Sequence, residues 1–93
     1  MSDYLVHKKA LKKWGYLSQK MIWIEELAEL IQALAKEDRK INGSTKAEIV
    51  EELVDVLICT EQMIIYFSDG YNIQTKHKEK FERYRRLVME KNE

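Results

Sequence analysis

The chain has 93 residues, with 16 Lys and Arg against 16 Asp and Glu, one Cys, three Gly and no Pro. This length suits a single domain over residues 1–93, able to bury roughly 60% of its unfolded surface but too short for two independent cores. Zero net charge excludes a nucleic-acid binder working by bulk attraction, a lone Cys excludes an internal disulfide and a Cys-based zinc site, and no run approaches the ~18 apolar residues of a membrane span.

Leu, Ile, Glu and Lys dominate, so an all-α fold is expected. A short first helix is predicted over Asp3–Lys13, with Ser2 or Asp3 as cap, stopping near Trp14-Gly15 because Gly weakens helix continuation. This lysine-rich start lacks the apolar stretch of a signal peptide, and a reducing cytoplasm is the expected location. The second helix is predicted from Ser18 to Lys40, with Ile24, Leu27, Leu30, Ile31 and Leu34 giving an apolar face too wide for a lone amphipathic helix.

Asn42-Gly43-Ser44 reads as a turn, with Gly43 suited to a left-handed helix end and Thr45-Lys46-Ala47-Glu48 matching a capping box. The third helix, Lys46–Ser68, thus forms a hairpin with the second. Residues 53–67 are apolar on almost every side, which predicts burial against a second subunit. Asp69-Gly70 reads as the stop, and a fourth helix is predicted over Ile73–Met89 with Phe81, Tyr84 and Val88 at helical spacing.

Two acidic motifs interrupt these apolar stripes. At about 100° per residue, Gln19, Ile22, Leu30 and Ala33 surround Glu26, while Ile49, Val56, Cys59 and Met63 surround Glu52. Glu26 and Glu29 lie one turn apart, as do Glu52 and Asp55, so each pair can reach one point from its own helix. Four carboxylates converging on a core suffer desolvation and repulsion, so they either take up protons or are neutralised by a divalent cation.

An all-oxygen set suits Mg²⁺, with Mn²⁺ as a substitute, and Mg²⁺ commonly bridges carboxylates to substrate phosphates. A ferritin-like di-iron centre would need Glu-x-x-His on two helices, and neither His7 nor His77 follows such a Glu. No Gly-rich phosphate loop is present, and a nucleophilic triad finds no suitable Cys or His. Residues 25–55 hold nine acids against four bases, with Lys-rich or Arg-rich stretches on either side, as would suit a cation beside phosphates or simply solvated helix faces.

Glu25-Glu26-Leu27-Ala28-Glu29, with Glu52-Leu53-Val54-Asp55 one hairpin later, resembles the EExxE…ExxD signature of the MazG-like all-α nucleoside triphosphate pyrophosphohydrolases. Trp14-Gly15, Gln19, Lys80-Phe81-Glu82-Arg83 and Arg86 extend the resemblance, to the small stand-alone bacterial and phage members, over nearly the whole chain. It implies a four-helix-type bundle completed by oligomerisation, as a homo-dimer or homo-tetramer, with neither nucleic acid nor membrane as partner. The implied reaction is Mg²⁺-dependent hydrolysis of a (deoxy)nucleoside triphosphate to monophosphate and pyrophosphate, serving nucleotide-pool housecleaning. Glu26, Glu29, Glu52 and Asp55 become metal ligands, and Glu25 with Glu29 the residues that orient or deprotonate the attacking water. Glu48, one turn before Glu52, is a lesser candidate already explained by the capping box.

For the substrate, Lys80, Arg83 and Arg86 would meet phosphates, although stem packing with the charged heads in solvent explains them equally. Gln19 could hydrogen-bond a base, and Trp14 could stack on one; Tyr16 is expected instead to close the corner after the first helix. Met21, Trp23 and Met63 read as core or interface, and Cys59 as a small packed hydrophobe. Beyond Asp55, where some relatives carry Asn or Lys, this chain has Cys59, Thr60 and Gln62, which leaves base preference open. Two alternatives stand beside this reading: a non-catalytic helical oligomerisation or regulatory module, and a single-metabolite relative such as phosphoribosyl-ATP pyrophosphohydrolase.

Overall fold

A computed structural model of the chain describes residues 3–68 and 71–90. The proposed cap Ser2 and the proposed stop Asp69-Gly70 lie outside the described residues. Four helices follow one another: α1 Asp3–Trp14, α2 Tyr16–Ala35, α3 Lys46–Phe67 and α4 Ile73–Met89. Among the described residues there is no strand, and no helix is long and apolar enough to cross a membrane.

A single residue separates α1 from α2. Gly15 sits at φ 86°, ψ 156°, a conformation that side chains resist, and its N–H closes α1 on the Leu11 carbonyl at 2.9 Å while its carbonyl accepts from Gln19 N–H at 3.2 Å. The second helix therefore starts at Tyr16 rather than at Ser18, which lies inside it. Tyr16 stacks on Tyr66, with ring centroids 4.0 Å apart, and meets Phe67 edge-on at 5.7 Å. As expected, Tyr16 closes this corner, tying the start of α2 to the end of α3.

Helix α2 stops at Ala35, five residues short of the expected Lys40. The Lys36 carbonyl is claimed by Arg39 N–H at 3.1 Å and by Ser44 N–H at 3.2 Å, so the chain tightens and doubles back. The left-handed residue of this turn is Asn42, at φ 55°, and not Gly43 as expected. Gly43 serves another purpose there: a Cβ on it would collide with the carbonyl oxygens of Arg39 and Lys36. The capping box forms as its spacing predicts, with Thr45 Oγ1 accepting from Glu48 N–H at 3.2 Å and Glu48 Oε1 accepting from Thr45 N–H at 3.2 Å. Helix α3 ends at Phe67, one residue before the expected Ser68, and Asn72 Oδ1 caps α4 by accepting from Thr75 N–H at 2.9 Å.

Packing is unequal among the four. Helices α2 and α3 lie along each other as an antiparallel hairpin, and α1 rests mainly on α3 and less on α2. Helix α4 has no comparable packing on any of them, so one chain does not close a four-helix bundle. The Cα radius of gyration is 17.1 Å, against about 12 Å for a compact chain of this length. Among the described residues only Ile49 and Met63 are buried apolar residues, while Leu53, Leu57, Ile58, Phe81, Tyr84 and Leu87 are each about half exposed or more.

Candidate metal centre

The register of the α2/α3 hairpin is pinned by Trp23 Nε1, which donates to Thr60 Oγ1 at 2.9 Å. One turn along α2 from Trp23 comes Glu26, and five and eight residues back along α3 from Thr60 come Asp55 and Glu52. Carboxylate oxygens of Glu26, Glu52 and Asp55 lie within 4.8 Å of one another, forming a candidate three-ligand group among the described residues. The sequence motifs thus converge because each acid occupies a seam position of its helix, between apolar neighbours one turn away.

Burial separates one oxygen each of Glu26 and Glu52 from ordinary surface carboxylates, while Asp55 is exposed. Glu26 and Glu52 are half-buried, and Oε2 of each is fully buried with no hydrogen-bond partner. Such an orphan is costly, since a buried polar atom loses water without replacement. The carboxyl groups respond accordingly: burial pushes Glu26 above the usual carboxylate range, and the charges of Glu29, Asp55 and Glu52 push it further. For Glu52 burial again acts first, followed by the charge of Glu29. Removing water raises the cost of ionisation, and like charges raise it again.

Two relieving states exist, a proton shared among the acids or a cation between them. The donors are all carboxylate oxygens, two of them orphaned, and that chemistry fits a hard divalent ion such as Mg²⁺ or Mn²⁺.

The remaining expected site residues fall into three groups. Glu29 is exposed and outside the 4.8 Å triplet, yet close enough that its charge acts on both Glu26 and Glu52. Glu25 is exposed on α2, and Glu48 is engaged by Thr45 in the capping box. Gln19 is buried at 8% exposure, two turns from Glu26 on the same side of α2. Trp14, by contrast, is 56% exposed and lies under the Lys13 ammonium at 4.9 Å from its ring centroid.

Lys80, Arg83 and Arg86 are exposed on α4, where Arg86 approaches Glu82 at 3.9 Å. Because α4 does not pack along α2 or α3, a single chain does not bring these cations to the acids. Cys59 is half-buried beside the cluster, and burial, then the charges of Glu26 and Asp55, hold its thiol above the usual range, so it stays a neutral packing group. Met63 is core at 1% exposure, Trp23 is half-buried, and Met21 is 48% exposed.

Gln62 had no assigned role in the sequence, yet it is as buried as Gln19, at 8% exposure. The signal for it was its spacing, seven residues beyond Asp55 on the same stripe of α3. Comparison of the chain with protein-family models, with curated proteins and with solved structures finds no match.

Proposed function

We propose that the chain is a Mg²⁺-dependent nucleotide pyrophosphohydrolase of the MazG-like kind, acting on (deoxy)nucleoside triphosphates in the cytoplasm. The observation that carries this reading is the pair of buried, partnerless oxygens, Glu26 Oε2 and Glu52 Oε2, in a three-carboxylate cluster. A purely structural seam would gain by replacing them with apolar groups, because burying unpaired charge is destabilising.

In this proposal Glu26, Glu52 and Asp55 hold the cation, with Glu29 beside them. The bound ion would neutralise phosphate oxygens and favour attack by water at the α phosphorus, breaking the α–β anhydride to give monophosphate and pyrophosphate. Glu29 and the exposed Glu25 orient that water and accept its proton. The apolar neighbours of Glu26 and Glu52 restrict solvent and so strengthen every charge interaction inside.

The same proposal includes a homo-oligomer. Accessible surface is 8223 Å², whereas a compact monomer of this mass exposes only about 5,600 Å². The excess matches what one partner gives up in a large obligate interface, on the order of 1,000–2,500 Å². Charge supports a second copy as the cover, since α4 carries six Lys and Arg against two Glu, while α2 and α3 together carry eight acids against two Lys. In such an assembly Lys80, Arg83 and Arg86 meet the phosphates from a neighbouring subunit.

The test is direct. Purified protein incubated with Mg²⁺ and a panel of triphosphates releases pyrophosphate from at least one of them. Silence across the panel, with no heat of Mg²⁺ or Mn²⁺ binding, removes the proposal.

The second reading, a non-catalytic helical oligomer, is favoured by the unpartnered apolar faces, which need no chemistry at all. It predicts that Glu26→Gln stabilises the fold and leaves its response to metal unchanged.

A further inference from the structure

Three carboxylates on two helices can hold a cation only while α2 and α3 keep one spacing, and the packing between these helices is thin. Among the described residues Ile49 and Met63 alone are buried apolar side chains, and Ile24 on α2 with Leu53 and Leu57 on α3 stay about half exposed. The ion pairs of the described residues all lie within α4, so none ties the hairpin. Between described residues, every side-chain hydrogen bond but one joins partners three or four positions apart. The exception is Trp23 Nε1 donating to Thr60 Oγ1 at 2.9 Å, part-buried and spanning 37 positions of the chain.

The pairs that meet across the antiparallel hairpin run in step. Tyr16 stacks on Tyr66 at 4.0 Å between centroids; seven residues on along α2 and six back along α3, Trp23 bonds Thr60; beyond it Glu26 meets Asp55. Trp23 is three residues from Glu26, about 4.5 Å along the α2 axis, and Thr60 is five from Asp55, about 7.5 Å along α3. The tie therefore stands beside the acids. Apolar contacts are non-directional and tolerate sliding, whereas a hydrogen bond weakens steeply once its angle is lost. A helical Thr can spend its hydroxyl on its own backbone, and a half-buried indole N–H usually finds a partner; here the two are spent on each other.

What this tie opposes is the charge of the cluster. Without an ion the carboxylates of Glu26, Glu52 and Asp55 repel one another across the hairpin, and an oversized ion pushes the helices the same way. Mg²⁺ demands short bonds in near-octahedral geometry, while Ca²⁺ accepts longer bonds and looser geometry, so the choice between them turns on the size and rigidity of the site.

We infer that Trp23 and Thr60 are a positioning pair whose hydrogen bond fixes the gap between α2 and α3 and thereby makes the acid cluster select Mg²⁺ over Ca²⁺. Both act through the carboxylates rather than on the ion. This rests on the cation site proposed above and deepens it, and it depends on no particular substrate.

The test is displacement of Mn²⁺ from the purified full chain, followed by electron paramagnetic resonance, with Mg²⁺ or Ca²⁺ as the competitor. In the wild type Mg²⁺ displaces Mn²⁺ at lower concentration than Ca²⁺ does. Thr60→Val keeps the shape and removes the acceptor; Trp23→Phe keeps a ring and removes the donor. Each shifts the preference towards Ca²⁺ by about tenfold, the low end of what loss of a supporting hydrogen bond costs a metal site. Thr60→Ser keeps the hydroxyl and with it the wild-type preference.

A merely stabilising bond would lower the melting temperature and the affinity for both ions without moving their ratio, so thermal melts beside the titrations separate the two roles. Circular dichroism identifies a variant that fails to fold, and Trp23→Phe with Thr60→Ser carries the test in place of a lost Thr60→Val. A wild type that takes up Mn²⁺ but prefers Ca²⁺, deletion variants that keep the Mg²⁺ preference, or a Thr60→Ser that loses it overturns the inference and leaves the cation site standing. A wild type that takes up no Mn²⁺ overturns the cation site and this inference together. Proteins that select ions as predicted while releasing no pyrophosphate uphold the pair and sink only the hydrolase.

Discussion

Helix α4 and the α2/α3 seam are both amphipathic helical surfaces, but they stand at opposite ends of how far one chain can satisfy its own sequence. Along the seam, apolar residues, two acids with buried oxygens and the Trp23–Thr60 hydrogen bond meet within the chain. On α4, Phe81, Tyr84, Leu87 and Val88 remain more than half exposed, and among the described residues the ion pairs of its basic groups, from Lys76, Arg85 and Arg86, go to Glu79 and Glu82 of the same helix. The inner side of the seam is packed yet short of counter-charge, whereas α4 has charge and apolar surface yet little packing within the chain. The two deficits are complementary, which is why the proposal pairs a second copy with a cation.

The largest effect expected from breaking this comparison is at the acids. Glu52→Gln removes a buried ligand, and pyrophosphate release should fall at least about a hundredfold, as loss of even supporting residues costs metal sites 10–100-fold. Retained activity in that variant would detach the seam from the chemistry.

On the other side, Phe81→Glu with Leu87→Glu puts charge into the apolar stripe of α4. Analytical ultracentrifugation should show the oligomer dissociating to monomer, with activity lost and α2/α3 helicity kept. An unchanged sedimentation coefficient would mean that α4 is not covered by another copy.

Smaller effects isolate the hairpin from the site. Thr45→Ala deletes the side-chain half of the capping box, leaving the backbone N–H that donates to Glu48, and should cost about 1 kcal/mol, lowering the melting temperature by about 4–8 °C while leaving metal affinity alone. Removing the cap and losing metal binding as well would tie the hairpin turn to the acids more closely than the structure does.

The subtlest effect is in pH. Glu26 and Glu52 hold protons more tightly folded than unfolded, so in chelator the native state binds more protons above the ordinary value of 4.5. Metal-free stability should therefore fall as pH rises from 4.5 through the raised values. Cation affinity should climb across the same window, because only the ionised carboxylates bind. Thermal melts with and without Mg²⁺ over that range check both signs, and curves that stay parallel would contradict them.

Much of this was legible from sequence because it rests on short-range rules. The four helices, the Thr45–Glu48 capping box and the break at Gly15 follow from local spacing, and the meeting of Glu26, Glu52 and Asp55 follows from one hairpin with seam positions on both sides. What sequence missed is what depends on exact backbone paths. Lys36–Lys40 has helix-forming side chains, yet α2 ends at Ala35 because Ser44 and Arg39 take the Lys36 carbonyl. Gly43 is demanded by crowding rather than by a positive φ. Gln62 looked like any polar residue until its burial was known, and nothing in the order of residues says that α4 leaves its own chain's bundle.

Manganese titration of the metal-free protein, followed by electron paramagnetic resonance, tests the cation site most directly. The account predicts saturable loss of the free-ion signal in the wild type and none at comparable concentrations in Glu52→Gln. Equal behaviour of the two proteins, whether both bind or neither does, would contradict it.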